Sequence, residues 1–102
     1  FAAHENFYQR ICPIYNGTCQ AGMTNTSNYI LSDIEFPINI ITGASGSVEG
    51  GNKLLPNSFS VKSFGGLGFG VINANYSQFE WTQYAIGYDD YYNIDSMTID
   101  NI

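Results

Sequence analysis

What most constrains this chain is the second half of its sequence. There, short segments with a two-residue hydrophobic period follow one another, separated by turn residues. Ser77-Gln78-Phe79-Glu80-Trp81-Thr82-Gln83-Tyr84 puts Phe79 and Trp81 on one side and Gln78, Glu80 and Thr82 on the other. That period belongs to a half-buried antiparallel strand. Residues 58–64 read as a strand before it, and residues 66–73 as another. In the latter, Gly66, Gly68 and Gly70 alternate with Leu67, Phe69 and Val71, which suggests a face crowded by another backbone. Residues 73–76 form a turn and 87–92 a loop, and 93–100 make a last strand with Met97 and Ile99 inward. Strands joined this closely form an antiparallel meander. No stretch has the length and period of a sustained helix, and there is no internal repeat.

The first half is less regular. Phe36-Pro37-Ile38-Asn39-Ile40-Ile41-Thr42 is its strongest candidate for a buried strand, rich in β-branched residues and bounded by Pro37 and Gly43. Residues 20–35 read as a polar surface loop with one short helical turn near 29–33. Asn16-Gly17 marks a turn. Residues 43–51 are glycine-rich but contain neither Gly-Lys-Ser/Thr nor GxGxxG, so a tight connection is favoured over a phosphate-cradling loop.

Composition limits the partners. Only 12 % of the 102 residues are charged and the net charge is −6, with Arg10, Lys53 and Lys62 the only cations besides the single His. A basic face able to displace counterions is missing, which argues against nucleic acid and against anionic membrane surfaces. No apolar run approaches the roughly 20 residues that cross a bilayer. Three Asn-x-Ser/Thr sequons, at Asn16, Asn25 and Asn75, point to N-linked glycans and a secreted or lumenal location. Cys12 and Cys19, separated by six residues, agree with that location. In an oxidising compartment they close a small loop worth about 2–3 kcal/mol, whereas in the cytosol they would be two reduced, buried thiols. Two Cys without His or Cys partners do not complete a zinc site.

Chemistry is sparse. His4 is the only base of its type, and no Gly-x-Ser-x-Gly elbow surrounds any Ser, so no nucleophilic triad is available and no catalytic residue is assigned. His4 follows three apolar residues, which would place it at the end of a buried strand. A lone His is more often structural than a metal ligand. Asp89-Asp90 reads as a solvated loop rather than a cation site. Tyr88, Tyr91 and Tyr92 read as a sheet-end or interface cluster, or as a platform for a sugar together with Trp81.

Taken as a succession, these segments resemble the C-terminal end of purple acid phosphatases, in the calcineurin-like metallophosphoesterase superfamily. The family's Gly-His-x-His-x-Tyr-x-Arg and the Cys/Thr-Pro-Val-Tyr-Asn-Gly that follows it are echoed by Ala3-His4-Glu5-Asn6-Phe7-Tyr8-Gln9-Arg10 and Cys12-Pro13-Ile14-Tyr15-Asn16-Gly17-Thr18. Residues 38–46 with Glu49, residues 60–70, residues 71–75, Phe79-Glu80-Trp81 and Asp95-Ser96-Met97-Thr98 continue the family's order. The resemblance implies that residues 1–102 are a mostly β segment, an antiparallel meander, of the family's α/β four-layer sandwich. It implies a two-metal centre (iron with zinc, manganese or iron) that hydrolyses phosphate monoesters. His4 matches the first metal-binding His of the motif, while Asn6 stands where the second belongs and Ala3 where the Gly belongs. An amide oxygen is a poorer ligand for such metals than imidazole. The family's other ligand segments are expected upstream of this chain, which leaves the centre incomplete or absent within it.

The expectation is therefore a C-terminal piece of a secreted glycoprotein, not catalytic by itself and drawn from a pseudoenzyme. Its partners would be the remainder of the parent polypeptide, or neighbouring subunits reached through exposed strand edges. The alternative is a structural subunit of an extracellular glycoprotein assembly or filament that keeps the fold without catalysis.

Overall fold

The computed structural model describes residues 1–3, 7–43 and 60–102. The glycine-rich connection and the start of the strand expected from residue 58 lie outside the described residues. The strands, in chain order, are β1 (Tyr8–Ile11), β2 (Ile14–Tyr15), β3 (Thr18–Cys19), β4 (Asn28–Ile30), β5 (Asn39–Thr42), β6 (Ser60–Phe64), β7 (Gly68–Ala74), β8 (Gln78–Ile86) and β9 (Tyr91–Asp100). One 3₁₀ turn, Leu31–Asp33, follows β4. It falls inside the expected helical turn.

The expected meander is present. β7, β8 and β9 pair antiparallel in that order, Phe79 opposite Ile99 and Trp81 opposite Met97. The β7–β8 hairpin closes at Asn75, whose N–H donates to the Gln78 carbonyl at 2.9 Å. Asn75 Oδ1 accepts from the N–H groups of Ser77 and Gln78, so the side chain supplies acceptors that the tight turn leaves unmet. The crowding expected over the glycines is real. A Cβ on Gly68 would overlap the Tyr84 carbonyl, and one on Gly70 would overlap the Trp81 ring.

β4 and β5 depart from the reading of the sequence, and β1 lies where no strand was expected. Residues 20–35 contain β4, which pairs parallel to β9, Tyr29 opposite Ile99. Only alternation over three residues marks this strand, too little to separate it from a loop. β1 carries no strand signal of its own. Its sequence, Tyr-Gln-Arg-Ile, carries two polar residues in four, yet it is the central strand of an antiparallel sheet ordered β5-β1-β6. Burial here follows tertiary pairing rather than propensity. β5, expected to be the most buried strand of this half, is instead an edge on which only Ile40 is buried. Residues 1–3 are exposed rather than strand core, with Ala2 bridging to Ile41 along the outer side of β5.

β2 and β3 form a two-residue hairpin with Asn16 and Gly17 both at positive φ, 52° and 79°, as a type I′ turn requires. The Cys12–Cys19 disulfide staples it. Tyr15 stacks on Phe36, and Gln20 donates to the Asp33 carbonyl and accepts from the Glu35 N–H, so the stapled hairpin anchors the segment between β4 and β5.

The core lies between the three- and four-stranded sheets. Tyr8, Tyr29, Ile40, Trp81 and Met97 are buried there, flanked by Met23, Ile34, Ile38, Phe64, Phe79, Ile94 and Ile99. Substituting Gly70→Ala is expected to lower stability by about 1–3 kcal/mol, because the added methyl displaces the Trp81 ring from this core. Urea unfolding followed by Trp81 fluorescence measures it. A neutral result would mean that β7 does not cross the indole.

Candidate functional site

The chemistry of the described residues gathers at the seam between the two large sheets. Tyr8 and Arg10 are two apart on β1 and project from the same face. That face meets Trp81 of β8 and Asp95 of β9. Asp95 lies opposite Gln83, beside the register shift that leaves Ile94 as an extra residue on β9. β4 and the turn before it bring Tyr29, Thr26 and Ser27 to the other side of the guanidinium. Arg10 is 0 % exposed.

Arg10 grips Asp95 with two bonds, Nε donating to Oδ2 at 2.8 Å and Nη2 to Oδ1 at 3.0 Å. Its remaining donors reach the Thr26 carbonyl at 3.0 Å, the Tyr29 hydroxyl at 3.3 Å and Ser27 Oγ at 2.9 Å. Tyr29 Oη itself donates to the Thr26 carbonyl at 3.1 Å. On the other side, Tyr8 Oη donates to Asp95 Oδ2 at 2.6 Å and accepts from Trp81 Nε1 at 2.9 Å. The guanidinium and the carboxylate are thus satisfied in full, which is the condition for keeping a charge pair out of water.

The protonation equilibria follow from this geometry. Burial, and then the hydrogen bond to the Asp95 carboxylate, push the Tyr8 phenol far above the ordinary tyrosine value. Burial also raises Tyr29, against the opposing pull of Arg10. Burial disfavours the charge on Arg10, but the bonds and charge of Asp95 outweigh it, and the guanidinium stands above its ordinary value.

This arrangement is a structural lock between the two sheets. Among the described residues, no group of three or more His, Cys, Asp or Glu could hold a metal ion. Both oxygens of Asp95 are taken, and a guanidinium occupies the position a cation would need. The described donor set therefore does not fit a two-metal centre. The two candidate metal ligands of the sequence, His4 and Asn6, lie outside the described residues. An apolar groove of about 280 Å³, lined by Phe1, Leu31, Ile34, Phe36, Phe79 and Met97 among others, opens beside the core. None of its described lining residues carries a charged side chain.

The other sites singled out in the sequence are dispersed. Asn16, Asn25 and Asn75 are all exposed, each on a different connection. Cys12 and Cys19 are bonded to each other. Trp81 is 3 % exposed and cannot stack on an external sugar. The Tyr88, Tyr91 and Tyr92 cluster is not assembled. Tyr91 instead packs edge-on against Phe69 and Tyr84 on the outer face of the four-stranded sheet, and the next residue, Tyr92, alternates away. Sequence reasoning missed Arg10 and Asp95, though a signal existed. Arg10 is the only Arg in a chain poor in charge, two residues from a Tyr in a β-compatible stretch.

Comparison with known proteins gives one fold likeness. Purple acid phosphatase from yellow lupin (Lupinus luteus) seeds superposes with a TM-score of 0.77 at 24 % identity, over 97 % of this chain and 17 % of that one. This chain thus has the fold of a segment of that phosphatase and spans about a sixth of its length. No protein-family model and no curated protein matches the sequence.

Asp95→Asn leaves a buried guanidinium without its counter-charge and is expected to cost about 3–5 kcal/mol of stability. In a double-mutant cycle with Arg10→Met, measured by urea unfolding, the two losses should be strongly non-additive, since either change strands the other partner. Additive losses would mean that the pair does not form.

Alkali gives an independent test. Tyr8 and Tyr29 hold their protons more tightly folded than unfolded. Their contribution to stability is complete below the ordinary tyrosine value of about 10 and declines as pH rises beyond it. Their phenolate absorbance should therefore develop only as near-ultraviolet circular dichroism is lost. Ionisation of every tyrosine ahead of that loss would exclude the network.

Proposed function

We propose that this chain is the C-terminal piece of a secreted, N-glycosylated, purple acid phosphatase-like protein of the calcineurin-like metallophosphoesterase superfamily. Residues 1–102 form a segment of its phosphoesterase-like domain. The observation that carries this reading is the fold likeness, at a TM-score of 0.77 over 97 % of the chain. The order of the motifs from Ala3 to Thr98 also supports it. The bonded Cys12–Cys19 pair and the exposure of all three sequons favour an oxidising, glycosylating compartment.

The piece is not catalytic by itself. The remainder of the parent polypeptide is its first partner, contributing the other ligand segments that the family uses for phosphate monoester hydrolysis. Asn6 at the second ligand position, with Ala3 before His4, favours a parent that binds metal poorly and has lost turnover.

The test uses the full-length protein, with elemental analysis of bound metal and an assay on a chromogenic phosphate monoester. The expected outcome is substoichiometric metal and no turnover, with retained metal rising when Ala3→Gly and Asn6→His are introduced together. Stoichiometric metal with turnover in the unaltered protein would overturn the pseudoenzyme reading and leave the phosphatase relationship standing. Peptide mapping after glycosidase release should find Asn16, Asn25 and Asn75 converted to Asp. Their complete absence from the glycosylated set would overturn the N-glycosylated assignment.

A further inference from the structure

Free strand edges are hazards that folded proteins blunt with short length, charge, proline, bulges or a covering segment. Three of the four edges of the two large sheets are blunted here. β4 is three residues long. The outer side of β5 is covered by Ala2, whose N–H donates to the Ile40 carbonyl and whose carbonyl accepts from the Thr42 N–H. β6 carries Lys62. Among the described residues, β7 has none of these devices. Its seven residues, Gly-Phe-Gly-Val-Ile-Asn-Ala, include no charge and no proline, and its pairing with β8 runs without a bulge. Val71 is 45 % exposed and Ile72 51 %.

The backbone parity of this edge is fixed. Asn75 and Leu67 make hydrogen bonds to the β8 side, at Gln78 and Ile86. By alternation, Phe69, Val71 and Asn73 bond to β8, while the N–H and C=O groups of Gly68, Gly70, Ile72 and Ala74 point outward. Val71 is the middle residue of the strand. A two-fold axis through it pairs Gly70 with Ile72, Phe69 with Asn73 and Gly68 with Ala74 of a second strand, each larger side chain facing a smaller one. Gly68, Gly70, Ile72 and Ala74 then fall in hydrogen-bonded pairs, for about eight backbone bonds in all. No charged residue lies between Lys62 and Glu80. The net charge of −6 is therefore carried away from the axis, and like charges do not meet there.

We propose that β7 is a self-docking edge: two copies of this chain join antiparallel through β7 across a two-fold at Val71, continuing each four-stranded sheet into the other. The interface is isologous, as most dimers are, and it goes beyond the phosphatase-like reading without requiring it.

The test is disulfide trapping in the full-length protein, with sedimentation of the unaltered protein beside it. Across the two-fold, Val71 faces Val71 of the second copy, with Cβ atoms about 4.5–5.5 Å apart. Val71→Cys is expected to give a covalent dimer under mild copper-phenanthroline oxidation, reversed by dithiothreitol. Asn73→Cys, which faces Phe69 instead, should give little. The unaltered protein should sediment at twice the chain mass, and Val71→Lys at the chain mass with unchanged circular dichroism. Ile72→Glu is a second disrupting variant should the lysine unsettle the fold. A monomeric unaltered protein, a dimer that survives both charge variants, or equal trapping through positions 71 and 73 would each overturn the proposal. None of these readouts depends on metal content or turnover, so failure here and failure of the phosphatase reading are separable.

Discussion

One buried ion pair holds this structure together. Arg10 belongs to the central strand of one sheet and Asp95 to an inner strand of the other, and they meet in a two-bond grip with both side chains buried. A charge pair in that position is stable only if every donor and acceptor around it is used. Tyr8, Tyr29, Thr26 and Ser27 are placed where they complete the set. The arrangement explains why β1, polar by sequence, is central: its polar side chains are what the two sheets share. Such a network specifies one alignment of the sheets, because a slip of one residue would turn Arg10 away from Asp95 and leave both charges unmet.

The network also bears on function. In the resemblance to purple acid phosphatases, β1 carries the end of the motif whose beginning supplies metal ligands. The described part of this motif, Tyr8 and Arg10, is spent on packing. The lock holds β1 rigidly against the antiparallel meander.

Much of the second half was legible because its signals are local. Alternation over eight residues places Phe79 and Trp81 inward, and the same period places Met97 and Ile99 opposite them. The glycines of β7 announced a crowded face, and the crowding comes from the Tyr84 carbonyl and the Trp81 ring. The Asn16-Gly17 turn is equally local, since both residues tolerate positive φ. What could not be read was the pairing of distant pieces. Three residues suffice for β4 once β9 is beside it, but they leave no period of their own. The chain from Asn28 to Ile30 looks like the loop around it.

By itself, the sequence determined the strand-and-turn composition, the antiparallel meander and the Asn16-Gly17 turn. Each follows from short-range patterning or from an inventory of residue types. The tertiary structure alone decided that β1 is the buried centre and β5 an edge, that Arg10 and Asp95 meet across 85 positions of sequence, and that the tyrosines near residue 90 scatter rather than cluster. These outcomes depend on which strands become neighbours, and strand neighbours are chosen by the joint burial of many side chains. No single segment carries that information.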